Sequence, residues 1–119
     1  MSKSRNKLLR GKIYHVYTTG GPHPSLIFKK NRRKNKYFAV VFDTSEGRHR
    51  TKLSHPTNPN VKQSFVQNRP ILGRRRDFGN RELINIRVHK DDKIIIEIVK
   101  RRKPRLTSEY RKHSQECKK

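Results

Sequence analysis

Six consecutive residues, Tyr37–Phe42 (Tyr-Phe-Ala-Val-Val-Phe), form the most hydrophobic segment of this chain, and their brevity constrains the fold. A run this short, preceded by a basic stretch and closed by Asp43-Thr44-Ser45-Glu46-Gly47, has the length of a buried strand. The other apolar runs, such as Ile94–Ile96, fall far below the ~20 residues that span a bilayer. Hydrophobic types make up 29% of the chain, against roughly 45–50% apolar usage in ordinary domains. One small core in a single domain follows, and a membrane-spanning role is excluded.

Around the central run the chain divides into further short strands. Lys12–Thr18 is rich in aromatic and β-branched residues and reads as a strand. Gly20-Gly21-Pro22-His23-Pro24 reads as a loop, since neither helix nor ladder is expected to run through two glycines and two prolines. Ser25–Lys29 is a short buried strand and Lys30–Lys36 a basic turn. Arg48–Leu53 and Lys62–Asn68 are further strands, separated by the Pro56–Asn60 loop. Leu83–Val88 alternates Ile84, Ile86 and Val88 with polar residues, the period of a half-buried strand. Asp91-Asp92 then turns it into Ile94–Val99 as a hairpin. The competing reading is a helix from Asp91 with Ile94, Ile95, Ile98 and Val99 as its buried stripe; β-branching favours the strand. Thr107-Ser108-Glu109 is a candidate helix cap. The sum is a small all-β barrel of six or seven short strands over residues 12–100, with a basic N-terminal arm (1–11) and a basic C-terminal tail (101–119), both largely disordered.

Charge selects the partner. The chain carries 32 Lys+Arg against 9 Asp+Glu, a formal net charge of +23. Self-repulsion of that size on so small a body points to a polyanion that neutralises it, with RNA ahead of DNA. Lys29, Lys30, Arg32, Arg33, Lys34 and Lys36 put six cations in eight residues. Arg74, Arg75 and Arg76 form a second cluster, and Lys100, Arg101, Arg102, Lys103 and Arg105 a third. Interleaved with Tyr14, Tyr17, Phe28, Tyr37 and Phe65, these clusters read as a groove that neutralises phosphates and offers stacking surfaces. No helix-turn-helix or zinc-finger pattern accompanies them.

Several chemistries are excluded. The single cysteine, Cys117, allows no intrachain disulfide and no Cys-rich zinc knuckle, which fits a reducing, cytoplasmic setting. Met1–Lys12 is basic, without an apolar stretch of signal-peptide length. There is no phosphate-binding Gly-x-x-x-x-Gly-Lys loop, and no cofactor is expected. His49 and His55 stand at a spacing that zinc tolerates, but with no cysteine pair they read as exposed polar residues, and no metal site is expected. His15 reads as a packed or stacking side chain. Asp43 either orients a histidine or starts the turn, and the turn is favoured.

The order of motifs in the middle of the chain resembles the MazF/PemK-like toxin family, small SH3-like barrels of bacteria and mobile elements, many of which cut single-stranded RNA. Gly11-Lys12-Ile13-Tyr14-His15-Val16 is similar to the family's opening Gly-x-Ile-Tyr-x-Val strand. His23-Pro24-Ser25-Leu26-Ile27 stands where the family has Arg-Pro before an aliphatic strand. Asn35–Phe42 followed by Thr44-Ser45 matches its apolar strand ending in a hydroxyl residue. Ser64-Phe65-Val66, leading to Arg69 and Arg74–Arg76, is similar to its Ser-x-Val strand and basic segment. The likeness spans residues 11–80 and implies an SH3-like barrel, an antitoxin partner and metal-independent RNA cleavage. It places His23 beside Thr44 or Ser45, with Arg69 or one of Arg74–Arg76 as the cation. One departure matters: the family's arginine before the proline is His23 here. Histidine either takes the base role itself, for which its ordinary pKa near 6.5 suits it, or marks a site kept for binding.

Three functions therefore stand open. The favoured one is a nucleic-acid-binding barrel. The alternatives are a MazF/PemK-like endoribonuclease and a basic effector that binds a nucleic-acid-handling protein.

Overall fold

The structure, a computed structural model, describes residues 7–18, 21–31 and 33–107. It is all-β apart from one short helix, and its eight strands are β1 (Ile13–Thr18), β2 (Gly21–Asn31), β3 (Lys36–Asp43), β4 (Arg50–Lys52), β5 (Phe65–Gln67), β6 (Ile71–Arg74), β7 (Phe78–Glu82) and β8 (Arg105–Leu106). The helix α1 is Lys93–Lys100, and single 3-10 turns occupy Arg75–Asp77 and Lys90–Asp92. The strands follow the order β4-β5-β3-β2-β1-β7, with β6 also on β3 and β8 added to β6. All pairs are antiparallel except β6–β8. The 3-10 turn at Arg75–Asp77 carries the chain from β6 to β7, across the opening between the two ends of the β6-β3-β2-β1-β7 path, and gives the sheet a barrel-like curl.

Strand β3 is buried on both faces, which is why its sequence is continuous rather than alternating in hydrophobicity. Tyr37, Ala39 and Val41 point into one core with Leu8, Tyr14, Val16, Ile27, Ile71 and Phe78. Val40 and Phe42 point into a second, with Leu53, Val66, Ile96 and Val99. The first core fills the barrel. The second lies outside it, under α1 and the loop after β4.

Barrel closure is tight at Gly73. A Cβ there would lie 2.9 Å from Thr107 Cγ2 and 3.1 Å from the Phe78 ring. Beside it Asp77, 1% exposed, accepts hydrogen bonds at Oδ2 from the Arg74 backbone N–H (2.8 Å) and the Thr107 hydroxyl (2.9 Å). One carboxylate thus joins β6, the 3-10 turn and the end of β8.

Several expectations are corrected. Gly20–Pro24 is not simply a loop, because β2 begins at Gly21 and pairs with β1 through Pro22 and Pro24. Ile27 N–H donates to Lys12 O, so by alternation the N–H groups of His23 and Ser25 face β1 while positions 22 and 24 face the other edge. There β3 pairs only from Ser25 onward. The prolines therefore lack their N–H where no strand requires it. Leu83–Val88 and Ile94–Val99 do not form a hairpin. The first is irregular, with Ile86 N–H turning back to Leu83 O and Arg87 N–H reaching Thr57 O, and the second is α1. The competing helix was right in kind and partly in face: of its stripe Val99 is buried and Ile95 partly so, but Ile94 and Ile98 are 76% and 44% exposed, and Ile96, outside the stripe, is buried. The described residues hold eight strands, of which β6, β7 and β8 were not anticipated. Within the expected arms, Leu8 packs in the barrel core and Arg105–Leu106 form a strand. The candidate cap at Thr107-Ser108-Glu109 runs beyond the described residues.

Candidate nucleic-acid interface

The cations gather along the β6–β8 edge. At one end is a cleft of about 340 Å³ lined by Arg48, His49, Arg50, Gln67, Asn68, Arg69 and Arg105, with no carboxylate among its described lining residues. The turn before β4 builds it. His49 has a left-handed backbone (φ 65°), a conformation in which histidine is enriched among non-glycine residues. Its carbonyl accepts from Asn68 N–H (2.8 Å), which ties the turn to the end of β5. Arg69 is held by the Lys103 and Pro104 carbonyls (2.8 and 3.3 Å), and Arg102 by Asn68 O (3.1 Å). The Arg48 and His49 side chains have no protein partner among the described residues.

Farther along the edge a second cleft of about 190 Å³ is lined by Lys36, Leu72, Arg74, Leu106 and Thr107. Ile71 pairs with Arg105 and Arg74 with Lys36, so Arg105 of the first cleft and the Lys36–Arg74 pair of the second are three strand residues apart, about 10 Å. Lys36 opposite Arg74 sets two cations across a ladder, an unfavourable pairing that the Asp77 carboxylate, 3.9 Å from Arg74 Nε, partly offsets. The β2–β3 hairpin continues the positive surface, with Arg33 and Lys34 exposed at its tip.

The other expected binding residues divide between solvent and structure. Lys29 and Lys30 lie over the rings of Phe38 and Tyr37 (5.5 and 5.4 Å). Lys100 lies over Phe28 (5.8 Å) and pairs with Glu97 (2.6 Å). Arg75 is structural, its guanidinium donating to the carbonyls of Phe78 and Gly79 and to Asn80 Oδ1. Arg76, Arg101 and Lys103 are exposed. Arg32 lies outside the described residues. Of the five aromatics proposed to pack or stack, Tyr14, Tyr37 and Phe65 are buried, Phe28 is half-buried, and Tyr17 is 47% exposed.

A second site adjoins the first through Arg50. His23 and Thr44 line a cleft of about 200 Å³ with Pro22, Pro24, Phe42, Asp43, Thr57 and Asn58. Asp43, 7% exposed, ends β3 with Oδ2 3.1 Å from Arg50 Nη2 and 3.8 Å from His23 Nδ1. Neither contact to Oδ2 has hydrogen-bond geometry, so this buried oxygen is held by charge alone. The Arg50 Nη1 donates to the carbonyl and hydroxyl of Ser45 (2.9 and 3.2 Å). His23 and Thr44 thus meet at the ends of β2 and β3, with Ser45 bound to the neighbouring arginine.

Comparison of the chain with known protein families, with curated proteins and with solved structures finds no match in any of the three. The chemistry of the two clefts must carry the functional reading.

Arg69 belongs to the Arg48–Arg105 cleft and does not line the His23 cleft; among the described residues Arg50 is linked to His23 through their shared Asp43 carboxylate. Arg48, His49 and Arg50 were missed as a binding cluster, although Gly47-Arg48-His49-Arg50 was visible as a glycine followed by three basic-type side chains. Asp43 was favoured as a turn former and is also the partner of both His23 and Arg50.

Proposed function

We propose that this barrel binds single-stranded nucleic acid, RNA in preference to DNA, along the β6–β8 edge. The observation that carries the reading is the cleft of Arg48, His49, Arg50, Arg69 and Arg105, with no carboxylate among its described lining residues and Asp43 paired with Arg50 beside it, in a chain of net charge +23. Arginine suits the role because its planar fork matches phosphate oxygens. Lys36 and Arg74 take the next phosphates, Arg33 and Lys34 extend the path, and Tyr17 offers a face for a base.

Fluorescence anisotropy with a labelled RNA oligonucleotide over a salt series tests this. Affinity falls with salt, with a logarithmic slope of about −0.7 per phosphate contacted on a single strand. Arg48→Ala makes that slope shallower by about 0.7 if it holds one phosphate. An unchanged slope and affinity in both Arg48→Ala and Lys36→Ala would remove the β6–β8 edge as the binding surface.

The His23 cleft supports a second reading, a MazF/PemK-like endoribonuclease. Nδ1 of His23 faces Asp43, leaving Nε2 to take the proton of a 2′-hydroxyl. Arg50 supplies positive charge for the crowded phosphate, and Thr44 adds a hydroxyl at the cleft wall. RNA incubated in EDTA separates the readings. Fragments formed by the wild type and lost in His23→Ala support catalysis; intact RNA that binds with steep salt dependence supports binding alone.

A further inference from the structure

The geometry points to a divalent transition-metal site, of the zinc class, formed by His55, His89 and Asp91. These residues come from two segments, the loop after β4 and the stretch before α1. Ligand atoms of all three lie within 4.8 Å of one another. His55 Nε2 is 3.0 Å from Asp91 Oδ2, and His89 Nδ1 is 3.4 Å from the same oxygen. Zinc–ligand bonds near 2.1 Å place neighbouring donors of a tetrahedron roughly 3.4 Å apart, so both separations are close to an edge of such a site.

The backbone that carries the ligands is held before any ion arrives. Asp92, 3% exposed, accepts from the backbone N–H groups of Ser54 (2.7 Å) and His55 (3.1 Å). Two residues on, Thr57 N–H donates to the buried Ser64 hydroxyl (2.8 Å). Only side-chain torsions remain to be set. The two imidazoles stack with centroids 3.7 Å apart, and the Asp91 backbone N–H donates to His89 Nδ1 (3.1 Å). A nitrogen of each imidazole therefore lies close to the one Asp91 oxygen, and a cation placed among the three atoms would be held by all of them. The rings splay on binding, since two imidazoles on one tetrahedral ion cannot remain stacked, and His89 Nδ1 exchanges its backbone bond for the metal.

Donor chemistry narrows the ion. Two imidazoles and one carboxylate, with no thiolate, favour Zn²⁺, Co²⁺ or Ni²⁺ over the hard Ca²⁺ and Mg²⁺, which prefer oxygen ligands. Three protein ligands leave a fourth position for water. It is reached from a cleft of about 420 Å³ that includes His55, Thr57, Asn58, Arg87 and His89. The net charge of +23 opposes a cation, but Asp91 and Asp92 supply local negative charge, and distant charges are screened beyond about 10 Å in 0.1 M salt.

Untagged protein is titrated with Co²⁺ and with Zn²⁺, following the visible absorption of four-coordinate cobalt and the heat of binding. One ion per chain is expected, with zinc displacing the cobalt colour and Mg²⁺ leaving it unchanged. His89→Ala and Asp91→Asn each weaken binding at least about tenfold, and His15→Gln, outside both clefts and the ligand cluster, retains it. Circular dichroism confirms that the variants fold; Asp91→Asn keeps the shape of the side chain. Absence of one-to-one binding, or equal binding by the wild type and both variants, would overturn the assignment.

Discussion

Asp43 illustrates how one side chain links fold and function. Its carboxylate is buried at the end of β3, with Arg50 3.1 Å away. Arg50→Ala leaves that charge without its cation and is expected to destabilise the protein by about 2 kcal/mol in urea unfolding, less than for a fully buried pair because Arg50 is partly exposed. Asp43→Asn combined with Arg50→Ala recovers part of the loss. His49 separates the two requirements more cleanly. Its left-handed backbone costs roughly 1 kcal/mol, which glycine relieves while losing a similar amount through chain entropy. His49→Gly is therefore expected to unfold within about 0.5 kcal/mol of wild type, while RNA affinity by anisotropy falls. A large loss of stability would show that the imidazole holds the turn. Composition revealed the basic residues; it did not show which of them spend their hydrogen bonds on carbonyls, as Arg69 and Arg75 do.

Among the elements, α1 shows where local preference yields to packing. Five β-branched residues, Ile94, Ile95, Ile96, Ile98 and Val99, cost a helix about 0.5 kcal/mol each, or roughly 2.5 in all. Burying Ile96 and Val99 against Val40, Phe42, Leu53 and Val66 returns about 1.5–3 kcal/mol apiece. Burial wins. Ile96→Ala is expected to cost 2–5 kcal/mol in the same unfolding assay, and Ile94→Ser about 0.5 or less. Comparable losses at 94 and 96 would instead place both residues on one buried strand face. On the exposed side, the hydrogen bond from Lys100 lowers the Glu97 pKa, with the nearby positive charges of Lys100 and Arg101 adding to it. The sign follows: the folded value lies below the unfolded one, so this small stabilisation is present above the unfolded pKa and disappears as pH falls through the folded one. NMR titration should find Glu97 below an ordinary glutamate, and Lys100→Met should move it back up.

Across the whole molecule, the net charge of +23 is expected to act on stability and on the proposed RNA binding with opposite signs. Salt screens repulsion among the cations, so the melting temperature should rise between 0.05 and 0.5 M salt, conditions that span Debye lengths from above about 10 Å to a few Å. RNA affinity should fall over the same range, because phosphate neutralisation loses its counterion-release advantage. Calorimetry and anisotropy on one preparation measure both. A melting temperature that fell with salt would mean that ion pairs such as Asp43–Arg50 outweigh the repulsion.

Tyr37–Phe42, Ile13–Thr18 and the short runs around them were legible as strands because residues buried on a sheet face carry their pattern locally. The expectation of an anionic partner rested on counting charges, and His23 with Thr44 was picked out by resemblance before any geometry was available. The tertiary structure decided what depends on distant neighbours. Pro22 and Pro24 became strand residues because the adjoining edge demanded no N–H there. The 94–99 segment became a helix because the outer face of β3 needed a cover. Arg48, His49, Arg50, Arg69 and Arg105 became one cleft only when β4, β5, β6 and β8 were assembled. Periodicity records which face of an element is buried; it carries no information about which other element does the burying, and that choice placed the sites.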